Sequence, residues 1–184
     1  ITATKATFAQ NSENHASVDA VTTFIDSSNA STGSVTIATF QGASINSGNI
    51  VNTCVFKDTA ENLADIEPTV LVFSGTAVNS GVVSNAVFEG DSVNQGTATN
   101  STFLGNSKNT GSLSGTTIFS DAASNQAAGV GAITGNVVFK GNSTNTSVSS
   151  AFNVTSLQVI DTSDAQWIDI TVTAYSQEIG RAHV

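Results

Sequence analysis

Ala86-Val87-Phe88-Glu89-Gly90-Asp91-Ser92-Val93-Asn94-Gln95-Gly96 is followed, fifteen residues on, by Ser101-Thr102-Phe103-Leu104-Gly105-Asn106-Ser107-Lys108-Asn109-Thr110-Gly111. Both stretches read small, β-branched, Phe, x, Gly, x, Ser, x, Asn, x, Gly. All ten Phe of the 184-residue chain keep this register: Phe8, Phe24, Phe40, Phe56, Phe73, Phe88, Phe103, Phe119, Phe139 and Phe152. The steps between them are 16, 16, 16, 17, 15, 15, 16, 20 and 13 residues. Self-similarity at a near-constant period marks a repeat architecture.

Columns emerge when the units are aligned on Phe. Four residues on stand Ser12, Ser28, Ser44, Ala60, Ala77, Ser92, Ser107, Ala123 and Ser143. Six on stand Asn14, Asn46, Asn62, Asn79, Asn94, Asn109, Asn125 and Asn145, with Ala30 breaking the column in the second unit. Two on is Gly or Asp, apart from Gln10. These even spacings are the strand period, in which alternate side chains share a face. Charge decides which face is inward. Lys57, Glu89 and Lys140 follow Phe directly, and Glu13, Glu61 and Lys108 stand five after it. Unpaired charges are seldom buried, so the odd set faces water and the Phe-Gly-Ser-Asn set faces in.

A unit of this length is too short for a helical pair and carries no 3.6-residue pattern. It suits one coil of a β-solenoid with two short strands and two corners. The longer strand is expected from two residues before Phe to five after it. Asn-x-Gly is expected as a corner, because both residues tolerate left-handed backbone angles. Stacked coils would place Phe on Phe and let Asn amides bond their neighbours in a ladder. Consecutive antiparallel hairpins fit the same columns, and the sequence leaves the two arrangements open.

Two units are irregular. Between Phe56 and Phe73 the motif decays and contains Pro68, which is expected at a corner or bulge because it cannot donate to a ladder. Between Phe119 and Phe139 four extra residues near Ala127-Ala128-Gly129-Val130-Gly131 are expected to bulge as a loop. The expected organisation is an all-β solenoid of about nine coils over residues 1–152, then a β cap or assembly segment over 153–178. Trp167, Ile168, Ile170, Val172 and Tyr175 are the candidate assembly or tip residues, with Trp167 a candidate last occupant of the Phe column. Residues 179–184, Ile-Gly-Arg-Ala-His-Val, resemble the translation of a sequencing adapter and are set apart as non-native.

Composition narrows the function. The net charge of −9 opposes electrostatic binding of nucleic acid, and no run of 18 apolar residues exists to span a membrane as a helix. The lone Cys54 sits at a small inward position and His15 in the first coil, so neither suggests a nucleophile or a zinc site. The motif superficially echoes the calcium-binding nonapeptide β-roll, which places an Asp in every turn. Here Asp26, Asp58 and Asp121 occupy only three units, too few for a regular array. The column before Phe runs Thr7, Thr23, Thr39, Val55, Val72, Val87, Thr102, Ile118, Val138, a single β-branched stripe without the second Thr column of an ice-binding face. No cofactor and no catalytic group are expected.

From Thr4 to Phe152 the chain resembles the Phe-x-Gly-x-Ser-x-Asn-x-Gly repeats of phage and environmental bacterial surface proteins. That resemblance implies a structural, non-enzymatic protein outside the cell, at its surface or on a virion. The expected partner is the chain itself, in a filament, surface layer or matrix joined end to end. The alternative is a tail-fibre or adhesin shaft whose tip binds a cell-surface glycan. The start at Ile1 is read as processing, in keeping with secretion.

Overall fold

Alternating strands need a partner on either side, and in this chain each finds one a single coil away. The computed structural model describes residues 2–129, 132–147 and 152–160. Every described strand pair is parallel, as between Ser17–Ile25 and Ser34–Gln41, or Val93–Asn94 and Lys108–Asn109. Like pairs with like: Phe8 with Phe24, Phe24 with Phe40 and, far along, Phe119 with Phe139. This excludes the antiparallel hairpins. The chain is a parallel β-solenoid of about nine turns, built on a thirteen-stranded and a nine-stranded sheet.

The coil has three short strands where the sequence suggested two. One central coil consists of Val82–Ser84, Ala86–Phe88 and Val93–Asn94. Asn85 separates the first two with φ 55°, and Asn100 (50°) and Gly115 (66°) do the same in the next coils. In the early coils these two strands fuse into single ones of eight or nine residues, such as Asn49–Phe56, with a register shift at the bend.

The long strand expected to run through Phe is also interrupted. Two residues after Phe the backbone turns left-handed at Asp26 (φ 48°), Gly42 (65°), Asp58 (59°), Gly75 (66°), Gly90 (67°), Gly105 (65°) and Asp121 (59°). Gly adopts this region without a Cβ penalty, and Asp tolerates it by bonding locally. This Gly/Asp column is therefore a corner near the surface, not part of the interior. The Asp residues use their carboxylates there: the Gly42 amide donates to Asp58 Oδ2 at 3.1 Å and the Ala43 amide to Asp26 Oδ1 at 2.8 Å.

The Asn-x-Gly corner needs correction too. Neither the Asn nor the Gly there has positive φ. Gly is required because the coils approach closely: a Cβ on Gly96 would fall on the Gly81 carbonyl oxygen and the Ser80 backbone. Ala takes this place in the first coil (Ala16) and ahead of the two irregular segments (Ala64, Ala127). Pro68 lies between the isolated bridge at Ile66 and the strand Val70–Phe73, outside any ladder. Of the extra residues before Phe139, Ala127 to Gly129 follow the strand Ser124–Asn125 outside any strand, and Val130 and Gly131 lie outside the described residues.

Eight buried Phe with no measurable exposure, Phe24 to Phe139, fill the interior in single file. A second apolar column lies beside them: Val18, Val35, Ile50, Ile66, Val83, Ala98, Leu113 and Ile133. Small residues complete the cross-section, among them Ala38, Cys54, Ala86, Ser92 and Ser107. Burial pushes the Cys54 thiol well above its ordinary pKa, as expected of a packing residue.

The Ser column is selected for size rather than bonding. Ser27 Oγ donates to the Phe8 carbonyl at 2.9 Å and Ser44 Oγ to the Gln41 carbonyl at 2.6 Å. The buried hydroxyls of Ser12, Ser92, Ser107 and Ser143 have no partner, and Ala60, Ala77 and Ala123 fill the same position elsewhere. An unpaired buried hydroxyl costs free energy without return. Ser92→Ala is accordingly expected to stabilise the fold by about 1 kcal/mol. A urea midpoint below that of the parent chain would show that the hydroxyl is satisfied.

Candidate functional site

The residues that recur most strictly meet along the axis. Nine Asn side chains form one continuous amide ladder, each Nδ2 donating to Oδ1 in the following coil. The bonds are Asn14 to Asn29 (2.8 Å), Asn29 to Asn46 (2.9 Å), Asn46 to Asn62 (2.9 Å), Asn62 to Asn79 (2.8 Å) and Asn79 to Asn94 (2.7 Å). Asn94 to Asn109 (2.7 Å), Asn109 to Asn125 (2.8 Å) and Asn125 to Asn145 (2.9 Å) complete it. The second Nδ2 hydrogen reaches the carbonyl two residues on, as from Asn79 to Gly81 at 2.9 Å and Asn109 to Gly111 at 3.0 Å. In the first coil the Ala16 amide also donates to Asn14 Oδ1 at 3.1 Å. Only a short primary amide supplies two donors and an acceptor at this reach. Recurrence of Asn is thus explained by the interior, without a ligand.

Asn29, not Ala30, carries the second rung. The corner after Phe24 is one residue shorter than the corner after Phe40, so Ser27 and Asn29 take the places expected of Ser28 and Ala30. The tell is that Ser-x-Asn spacing survives the deletion.

The Phe rings stack from Phe8 to Phe139 with centroids 4.5–5.0 Å apart and planes within 14° of parallel. That separation is the spacing of strands in a sheet, about 4.8 Å, so the coils set the ring distance. Phe152 is a correction to the expected column. Its backbone pairs with Ile133, and Val159 stands at the Phe139 register. Thirteen residues from Phe139 are too few to complete a turn that elsewhere takes at least fifteen.

The ends of the rod differ. At the start, the edge of Thr2–Ala9 has no partner among the described residues, and Phe8 is half-buried, with Phe24 on one face. Beyond Phe139 the strand Phe152–Ile160 covers one sheet, leaving Val159 49 % and Ile160 46 % exposed. Trp167, Ile168, Ile170, Val172 and Tyr175 lie outside the described residues, as do residues 161–184 as a whole.

The outer surface has three strand faces of unlike chemistry. The narrow sheet shows Glu13, Ser28, Ile45, Glu61, Val78, Val93 and Lys108 in register. A second face carries Ser17, Ser34 and Asn49, then Val82, Thr97 and Ser112, with Thr36 Oγ1 donating to Asp19 at 3.1 Å. The third carries the β-branched column from Thr7 to Val138, unbroken through nine coils.

His15 is exposed, with Nε2 3.0 Å from Glu13 Oε2 and Nδ1 3.3 Å from Thr32 Oγ1. Among the described residues no three His, Cys, Asp or Glu side chains converge as a metal site. No helix among the described residues is long and apolar enough to cross a membrane. Comparison with protein-family models, curated proteins and solved structures gives no match.

Proposed function

We propose that this chain is a structural, non-enzymatic protein located outside the cell, at its surface or on a virion. It extends a filament, layer or matrix by stacking end to end. The observation that carries this reading is the exhausted interior: the recurring Phe and Asn partner one another coil after coil, and the repetition produces length. Among the described residues, the surface that such growth would use is the first coil, with the edge of Thr2–Ala9, the Phe8 ring face turned away from Phe24 and the acceptor end of the Asn ladder. Unpaired sheet edges template further strands unless covered, and head-to-tail contacts that do not close into a ring give filaments.

A second reading, a phage tail-fibre or adhesin shaft with a glycan-binding tip, draws on the loss of the Phe column in the last coil. A shaft would need no complement at that end.

Phe8→Glu discriminates between them. The change places a charge on the open ring position while leaving eight rings stacked from Phe24 onward. In sedimentation and negative-stain micrographs, the parent chain is expected to form rods of many subunit lengths. Phe8→Glu is expected to shorten them more than tenfold while the strand circular-dichroism signal persists. A parent chain that stays one subunit long at every concentration favours the shaft.

A further inference from the structure

The β-branched column of the third face asks for an explanation beyond strand propensity, because the other two faces supply internal controls. They are built on the same coils, yet they accept Glu13, Glu61 and Lys108, or Ser17, Ser34 and Asn49. A preference for β-branched residues on pleated surfaces would act on all three. Only the ridge from Thr7 to Val138 keeps Thr, Val or Ile through nine successive coils, with Gln158 next in register.

Its flank is of the same kind from Val21 to Val70 and continues as the uncharged polar residues Asn85, Asn100, Thr116 and Asn136. Two residues before the ridge stand Val21, Ile37, Thr53 and Val70 in register, with Val21 47 % and Val70 48 % exposed. No carboxylate stands on either column; Lys5, in the first coil, is their one charged residue. The chain carries a net charge of −9, and apart from Glu89 its described acids stand away from the ridge and its flanks. Two like-charged rods approaching through any other face bring carboxylates together. Approaching through this one they bring only Glu89, two residues after Val87, in a column that also carries Lys57 and Lys140.

We propose that the ridge is a lateral interface between two copies of this chain, packed face to face about a twofold axis. The dimensions suit it. Nine rungs at about 4.8 Å make a strip about 40 Å long, and two columns with their side chains span about 15–20 Å. The footprint of about 600–800 Å² per copy approaches the roughly 800 Å² of a standard specific interface. Thr methyl groups and Val and Ile side chains interdigitate in such a contact as in the dry interface between stacked sheets. Lateral pairing is independent of end-to-end growth: one doubles the width of a rod, the other its length.

The test uses the full chain carrying Phe8→Glu, so that elongation does not obscure mass. Sedimentation equilibrium at tens of micromolar is expected to give twice the subunit mass. Adding Val55→Lys, Val87→Lys and Ile118→Lys is expected to halve it, weakening the dimer at least a hundredfold. Val78→Lys with Val93→Lys on the narrow sheet leaves the mass doubled. Should the ridge lysines abolish the strand signal, Val72→Cys at the middle of the ridge serves instead. It is expected to oxidise to a cross-linked dimer more than tenfold faster than Val93→Cys, with the buried Cys54 taking no part. A monomer in the Phe8→Glu chain, or a dimer indifferent to the ridge lysines, overturns the proposal. So does thermal hysteresis by a monomer that the same lysines abolish, since the face would then hold ordered water. Rods that lengthen despite Phe8→Glu but lose doubled width with the ridge lysines support the interface and count against end stacking through Phe8.

Discussion

Asn94→Asp is expected to destabilise the rod by about 3–5 kcal/mol, although it exchanges one amide group for an oxygen of the same size. Asn94 Nδ2 donates to Asn109 Oδ1 at 2.7 Å and to the Gly96 carbonyl at 3.3 Å, and its Oδ1 accepts from Asn79 at 2.7 Å. The side chain has no exposure to solvent. A carboxylate there loses both donors, faces two bare oxygens and carries a buried charge. Asn94→Ala, which removes the bonds without adding charge, is expected to cost less, about 2–3 kcal/mol. The ordering separates the two costs, and urea denaturation of both variants measures it. Acid should partly rescue Asn94→Asp, because protonation removes the charge and restores one donor. Equal losses for Asp and Ala would mean that the ladder is open to water.

Phe88→Ala is the second large effect. The Phe88 ring lies 4.8 Å from Phe73 and 4.6 Å from Phe103, with no exposure. Its neighbours are held by their own coils and cannot collapse along the axis, so the void persists. Removal of a buried aromatic ring under such conditions costs about 3–5 kcal/mol. In a quasi-one-dimensional array each coil contacts chiefly its neighbours, so the gap also weakens coupling between the two halves. Hydrogen exchange is expected to accelerate first in the strands Ala86–Phe88 and Thr102–Phe103. Uniform acceleration along the whole rod would contradict local coupling.

The sequence carried these two columns openly because each is one residue type at nearly constant spacing. Other features were hidden for physical reasons. Whether coils are parallel cannot be read from columns near sixteen residues apart, since hairpins of the same length align the same side chains. The left-handed corner after Phe looked like strand because Gly and Asp fall on even positions there, as inward residues would. Asn29 was obscured by a deletion within its corner.

The aliphatic column was missed by counting from Phe alone. Its members stand four residues after Asn in six coils, as with Asn14 and Val18 or Asn109 and Leu113. Counted forward to Phe, the distance varies from five to seven residues, so the column dissolves. Alignment on both Asn and Phe would have recovered it. Phe152 misled in the opposite way: composition put it in a column that thirteen residues of chain do not reach.

The proposed end-to-end assembly turns on how the ladder and the ring stack continue between molecules. An amide ladder that always donates in the same direction has an acceptor end and a donor end, and a Phe stack has two open faces unless something closes them. The junction between molecules therefore separates a filament from a shaft. Cryo-electron microscopy of rods formed by the full chain examines that junction directly. The predicted result is an axial repeat of about 4.8 Å that passes from one subunit into the next without a gap, with Phe8 and the strand Thr2–Ala9 buried at the joint. Isolated capped monomers, or threefold intertwined bundles whose ends never meet, would contradict it.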